Sequence, residues 1–167
     1  HDAHFKRSVV LLAQYGEEGA MGYVLNRPLE ATLRDIVPEV MAFDAALDWG
    51  GPCQNDTLHC VHLLGEGLSG SAAINEELFW GGNFDAMREM LLSGAARAED
   101  VRFFVGYAGW GEGQLEKEIE EGSWIVSDNL SNIVFAASSK NLWTRACKSL
   151  GGKYEFLALT TEHPSMN

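Results

Sequence analysis

Val101-Arg-Phe-Phe-Val-Gly-Tyr-Ala-Gly-Trp-Gly-Glu-Gly-Gln-Leu-Glu-Lys-Glu-Ile-Glu-Glu-Gly-Ser-Trp124 is the stretch from which the fold is read. Its first part, Val101 to Tyr107, is an apolar run rich in Val and Phe and predicts a strand. Glycines follow. Then Glu112 to Glu121 places Leu115 and Ile119 four apart, one buried stripe of a helix whose other faces are charged. Gly122 suits the stop of that helix. Ser123 to Ser127 reads as a second strand. A strand, a glycine turn and a helix in succession make a potential anion cradle, because the first N–H groups of a helix point at the preceding loop. The same glycines could serve only to make turns that let Trp110 pack closely. No Gly-Lys-Ser/Thr occurs, and Gly109, Gly111 and Gly113 lie two apart, so neither the phosphate-loop nor the dinucleotide fingerprint is present.

On the N-terminal side, Ser8 to Gln14 and Ala20 to Asn26 are two apolar runs joined by Tyr15-Gly-Glu-Glu-Gly19, the pattern of a hairpin. Both runs are nearly continuous, which predicts strands covered on both faces. Asn26-Arg27-Pro28 breaks the second, since proline cannot donate to the ladder. Thr32 to Ile36 predicts a short helix capped by Thr32 and ended by Pro38. Asp48-Trp-Gly-Gly-Pro52 reads as a sharp turn. Thr57 to Leu64 predicts a strand with Leu58, Cys60, His62 and Leu64 on one face. Asn83 caps a helix to Leu92 with Phe84, Met87, Met90 and Leu91 as its stripe. Ser139 to Leu150 is the last evident helix, stopped by Gly151. Strands and helices mix without βαβ alternation, which makes the fold class α+β with a mixed, mostly antiparallel sheet.

The chain has 167 residues, enough for one domain over 1–167 with a substantial core. Twelve Lys plus Arg stand against 24 Asp plus Glu, a formal charge of −12. That average surface repels a phosphate backbone, so direct nucleic-acid binding is disfavoured. Arg145 and Lys148 share a helix face but make only a small basic patch. Three cysteines supply no disulfide framework, and a cytoplasmic location is expected. No apolar run is long enough to span a bilayer, so no membrane partner is expected.

Candidate chemistry is thin. Glu116 and Glu120 share a helix face and could do acid–base work or hold a cation; a solvated acidic face is the plainer alternative. Cys53, His59, Cys60 and His62 suggest zinc, but His59 and Cys60 point to opposite faces of a strand and no CxxC occurs. No metal or cofactor is expected, and no catalytic constellation is evident. Arg27 could clamp a carboxylate or phosphate, or pair with a local acid.

Phe5-Lys-Arg-Ser-Val-Val-Leu-Leu, Gly22-Tyr-Val-Leu-Asn-Arg-Pro28, Gly50-Gly-Pro52, Gly106 through Glu118 with Gly122-Ser-Trp124, and Leu142-Trp143 together closely resemble the YqgE/AlgH family of bacterial proteins. The resemblance covers nearly the whole chain. It implies a bifurcated sheet rolled toward a partial barrel with flanking helices, and a further strand ahead of Phe5 that this chain lacks, as if trimmed. It implies little about activity; some members carry the label of a transcriptional regulator, which rests on no known DNA-binding motif. The reading that follows is a non-enzymatic binding or regulatory domain with a protein or small-molecule partner of unknown identity and an open oligomeric state. Direct contact with DNA and an enzyme for a small anionic substrate are the alternatives. Candidate ligand-binding residues are Asn26, Arg27, Tyr107, Gly109, Trp110, Gly111, Gly113, Gln114 and Glu116, with Trp124 beside them.

Overall fold

The computed structural model describes residues 5–40, 43–128, 131–135 and 141–159. Its sheet is assembled on β8 (Val101–Trp110), an apolar strand in which Val101, Phe103, Phe104, Ala108 and Trp110 are buried. β5 (Cys53–His62) runs antiparallel along one edge of β8, from His62 opposite Val101 to Cys53 opposite Tyr107. The other edge is divided. β4 (Ala46–Trp49) pairs in parallel with Phe103 to Val105, while β2 (Gly19–Val24) pairs antiparallel with Ala108 to Trp110. β1 (Val10–Gly16) completes the hairpin with β2, and β3 (Pro28–Thr32) pairs with β4. β6 (Ser71–Ala73) and β7 (Phe79–Gly81) extend the far side, giving the order β1-β2-β8-β5-β7-β6 with β3 and β4 as the branch. The sheet is therefore forked, mostly antiparallel, and curled into a half-barrel, as the family resemblance implied.

Helices close the layers. α1 (Leu33–Ile36) starts in a capping box between Thr32 and Asp35. α2 (Phe84–Ser93) is capped by Asn83, whose side chain accepts from the Ala86 N–H at 2.9 Å. α3 (Gln114–Glu120) follows β8. α4 (Ser131–Val134), α5 (Leu142–Leu150) and α6 (Lys153–Leu159) form the C-terminal part. One core lies around Leu11, Tyr23, Leu25, Val61, Phe104 and Leu142, and a second around Leu33, Leu47, Leu68, Met87 and Phe103. A smaller third joins Ala20, Ala108, Trp110 and Leu115.

Several expectations change in the structure. β8 does not end at Tyr107, because its glycines serve close approach within the sheet and not only turns. Asp48 and Trp49 belong to β4; the turn is confined to Gly50–Pro52. β1 alternates, with Leu11 and Ala13 buried and Leu12 37% exposed, so only the end of β2 is covered on both faces. Phe84 is 39% exposed at the first position of α2, leaving Met87 and Leu91 as its buried stripe. Ser123 to Ser127 joins no ladder among the described residues. The expected start of the last helix at Ser139 lies outside the described residues; α5 is described from Leu142, and α6 follows it.

The fork needs glycine. Gly106 has φ +71°, and a Cβ there would stand 2.6 Å from the Gly51 carbonyl oxygen and 2.8 Å from that of Cys53. A Cβ on Gly51 would lie 2.1 Å from the Tyr107 carbonyl carbon. Gly65 has a similar φ of +66°, but a Cβ added there would meet nothing within 4 Å. Gly65→Ala is expected to cost about 1 kcal/mol, the left-handed penalty alone. Gly106→Ala should cost several times more, because backbone on both sides must also move. Urea unfolding of the two variants measures the difference; equal losses would show that the crossing tolerates a side chain.

Candidate binding cleft

Asn26 and Arg27 act as ties within the backbone. The Asn26 carbonyl oxygen Oδ1 accepts from the Val9 N–H at 2.9 Å, and its Nδ2 donates to the Arg7 carbonyl at 2.8 Å. The side chain thus continues the β1–β2 pairing beyond the last true ladder residues. Arg27 donates to the carbonyls of Asn26 and Lys6. Its contacts are with backbone oxygens and not with an acid among the described residues, which is a different role from either expected one. Together the two residues pin Lys6 to Val9. That placement seats Phe5 against Trp110 and Trp124, with ring centroids 6.1 and 5.5 Å away, and sets the Arg7 guanidinium 5.0 Å above the Trp143 ring.

Glu118 organises the aromatic group. Its Oε2 accepts from the indole N–H of Trp110 at 3.0 Å and from that of Trp124 at 2.7 Å. Its Oε1 accepts from Gln114 at 2.9 Å, and the Gln114 carbonyl oxygen accepts from the Gly111 N–H at 3.0 Å. The glycine turn at 111–113 is thereby held closed by α3 itself. At the far end of α3, the Ser123 N–H reaches the Glu118 carbonyl and the Gly122 N–H that of Ile119, a Schellman ending that delivers Trp124 back onto the helix. The two indoles meet edge to face at 5.7 Å.

These elements border a cleft of about 500 Å³. Its lining includes Val10, Leu12, Trp110 and Trp124 together with Ile74, Leu78, Ile133 and Trp143, and Ser123 to Asp128. Its walls therefore belong to two different cores, the Leu11–Phe104 cluster and the Trp110 cluster. Arg7 and Asp128 are the charged residues among its described lining. The Ser8 hydroxyl is buried in this wall without a hydrogen-bond partner. An orphaned buried hydroxyl is uncommon in folded proteins and calls for an explanation.

Of the expected site residues, Trp110 and Trp124 line the cleft. Tyr107 lies on the other part of β8, edge-on to His59 at 5.6 Å, and Gly109 sits beneath Tyr107 and the Cys53 sulfur. Gly113 precedes α3 at φ +67°. Gln114 is spent in the Glu118 network. The Tyr15 hydroxyl beside Glu116 holds the Glu116 carboxyl below its usual range, and Glu116 raises Tyr15. Arg27, Gly109, Gly111 and Gly113 line neither this cleft nor the smaller pocket beside Cys60. Sequence reasoning missed Glu118, Phe5 and Ser8. The spacing Gln114–Glu118, four apart on one helix face, was a usable signal for Glu118.

The suspected zinc residues make separate contacts. Burial pushes the Cys60 thiol up to about 12, and it donates to the Gly81 carbonyl at 3.2 Å. His62 is fully buried; its Nδ1 accepts from the Leu64 N–H at 3.3 Å and its Nε2 meets the Ser71 hydroxyl at 3.0 Å. Since that hydroxyl donates to the Leu68 carbonyl at 2.8 Å, Nε2 is the protonated nitrogen of a neutral ring. No group of three potential ligands gathers among the described residues.

Two outcomes are expected. Trp110 is 6% exposed, so Trp110→Ala should cost roughly 3–5 kcal/mol in urea unfolding; Glu118→Leu should also destabilise, since each indole N–H left unpaired costs about 1–3 kcal/mol. An unchanged melting temperature in either variant would remove the hub from the account. The second outcome concerns pH. Desolvation lowers the pKa of His62, and of His59, in the folded chain. The unfolded chain then binds protons first, so stability is full above about pH 6.5 and falls as pH drops below it. Urea midpoints between pH 7.5 and 5.5 should fall in the parent chain and fall less in His62→Gln.

Comparison with known proteins agrees with this architecture. A UPF0301 protein of Chlorobaculum tepidum is 40% identical over 166 residues, covering 99% of this chain and 89% of its own length. One from Cytophaga hutchinsonii is 35% identical over 167 residues, covering 99% and 92%. The solution structure of the AlgH protein from Pseudomonas aeruginosa superposes with a TM-score of 0.73 at 27% identity, over 97% of this chain and 88% of that one. A crystal structure of a protein from Corynebacterium diphtheriae gives a TM-score of 0.78 at 24% identity, over 96% and 86%, a likeness of fold. The AlgH-like family model (DUF179) matches residues 1–155, and the chain belongs to that family.

Proposed function

We propose that the chain is a non-enzymatic binding or regulatory domain that receives an uncharged, apolar partner or ligand in the cleft beside β1. The observation that carries this reading is the cleft itself: about 500 Å³, walled by apolar residues of two cores, with the unpartnered Ser8 hydroxyl buried in its side. Apolar concavities with a few polar points are the usual form of a ligand site. Among the described residues of the lining, Arg7 and Asp128 alone are charged, which favours an apolar occupant.

The competing readings have less support. Arg27 is committed to backbone carbonyls and Glu116 to Tyr15, which takes away the groups assigned to an anionic substrate. The overall charge opposes direct contact with DNA, so regulation through a partner is the favoured form of any regulatory role. A cytoplasmic site of action is part of the proposal and is supported by three cysteines that are free thiols in the structure.

The uncharged fluorophore N-phenyl-1-naphthylamine tests it. Its emission should rise on titration with the protein. Leu12→Glu and Val126→Glu alter cleft residues that are 37% and 62% exposed, so both variants should keep the parent melting temperature. Each should weaken the probe at least about tenfold, or about 1.4 kcal/mol. Probe binding that is absent, or indifferent to both variants, would sink the proposal.

A further inference from the structure

The last helix reverses the usual amphipathic order. Gly151 and Gly152, at φ +66° and +55°, end α5 and turn the chain into α6, whose main contact is α5. Tyr154 and Ala158, four apart, form the half-buried side of α6. Phe156 and Leu159, three apart, form the opposite side and are 76% and 70% exposed. A surface helix normally turns its large apolar side chains to the core. Single apolar residues on a surface are ordinary, but an outward pair on one helix side is a patch. Charge sets this region apart as well. Residues 141–159 hold three cations, Arg145, Lys148 and Lys153, and one acid, Glu155, in a chain with 12 cations and 24 acids. Elsewhere Arg34, Arg88, Arg97, Arg102 and Lys117 each pair with an acid. Arg145, Lys148 and Lys153 are exposed and pair with no acid among the described residues.

We infer that α5 and α6 dock the chain on the surface of an anionic lipid bilayer, with Phe156 and Leu159 at the acyl boundary and Arg145, Lys148 and Lys153 at the phosphate headgroups. Exposed apolar side chains beside unpaired cations are the pattern of helices that lie in a membrane interface. Lying on a bilayer needs no long apolar run, so the lack of a spanning helix among the described residues does not oppose it. The same anionic surface repels the acidic remainder of the chain, which turns α5 and α6 toward it. A protein groove fits less well. Grooves take helices whose apolar anchors recur over two turns, and α6 has seven residues with one outward pair. Nucleic acid would use the cations and leave Phe156 and Leu159 in water. The inference goes beyond the cleft reading and does not depend on it.

The test is flotation with vesicles of mixed phosphatidylglycerol and phosphatidylcholine, set against vesicles of phosphatidylcholine alone. The chain is expected to bind the anionic vesicles at least about tenfold more strongly, and less as salt is raised. Phe156→Ser/Leu159→Ser and Arg145→Gln/Lys148→Gln/Lys153→Gln alter exposed residues, so both variants should keep the parent melting temperature. Each should lose vesicle binding by at least about tenfold. In the unsubstituted chain, hydrogen exchange at the α6 amides should slow on anionic vesicles and not on neutral ones. No binding to the anionic vesicles, or equal binding to the neutral ones, overturns the inference. So does binding indifferent to the serine pair, which would be a contact of charge alone, or binding without protection of α6. A dimer in sedimentation that the serine pair dissociates gives this face to a second copy and also overturns it.

Discussion

At one crossing, the Gly50–Gly51 backbone passes directly over Gly106. The Gly50 N–H donates to the Val105 carbonyl at 2.8 Å, and its own carbonyl accepts from Val24 at 2.9 Å. A single residue thus bonds to β8 on one side and to the end of β2 on the other, at the point where β8 exchanges one edge partner for the other. No side chain fits between these backbones. The fork in the sheet, and so the separation of its two main cores, depends on that contact. A buried ion pair reinforces it. Arg102 of β8 bonds Asp48 of β4 at 2.9 Å and also donates to the carbonyls of Leu25 and Val134. The pair is 13% and 9% exposed, so its charges are compensated almost wholly by each other and by these carbonyls. Removing either partner would strand the other, which is costlier than never having had the pair. It ties β4 to β8 where the two pair in parallel.

The long strands and capped helices were legible in the residues because their signals are local. The β1–β2 hairpin, the Thr32 capping box, the Asn83 cap and the Gly122 ending all depend on a few neighbouring positions. The branch was not legible. β3, β4, β6 and β7 have three to five residues each, and their pairing is decided by partners far along the chain. Ser123 to Ser127 shows the converse. Its strand-forming residues are a correct statement about preference, but a strand is a pairing, and no described neighbour pairs with it. Gly109 read as part of a turn because glycine signals a turn by its freedom; in the structure it lies inside β8, as Gly106 does.

The candidate site was legible only at Trp110 and Trp124, and for a related reason. Polar and glycine residues drew attention as possible ligands, since those types carry chemistry. In this fold they are consumed by the scaffold: Asn26 and Arg27 by the backbone of residues 6–9, Gln114 by the Gly111 turn, Glu116 by Tyr15. A side chain tied into the scaffold has less left for a partner. The open surface is instead apolar, and nothing in residue type separates an apolar wall facing a cleft from one facing a core.

What stays open follows from the same arrangement. Glu118 ties Trp110, Trp124 and Gln114 into one unit, and Asn26 with Arg27 hold Phe5 against it. The cleft wall on that side is therefore rigid by construction and does not depend on an occupant. The facing wall is drawn from a different core, behind β1. Collapse of the cleft would require these two cores to approach, yet β1 between them is fixed by its ladder to β2 and by the Asn26 amide. The cavity is thus kept by the sheet's own hydrogen bonds, and filling it adds burial without rearrangement.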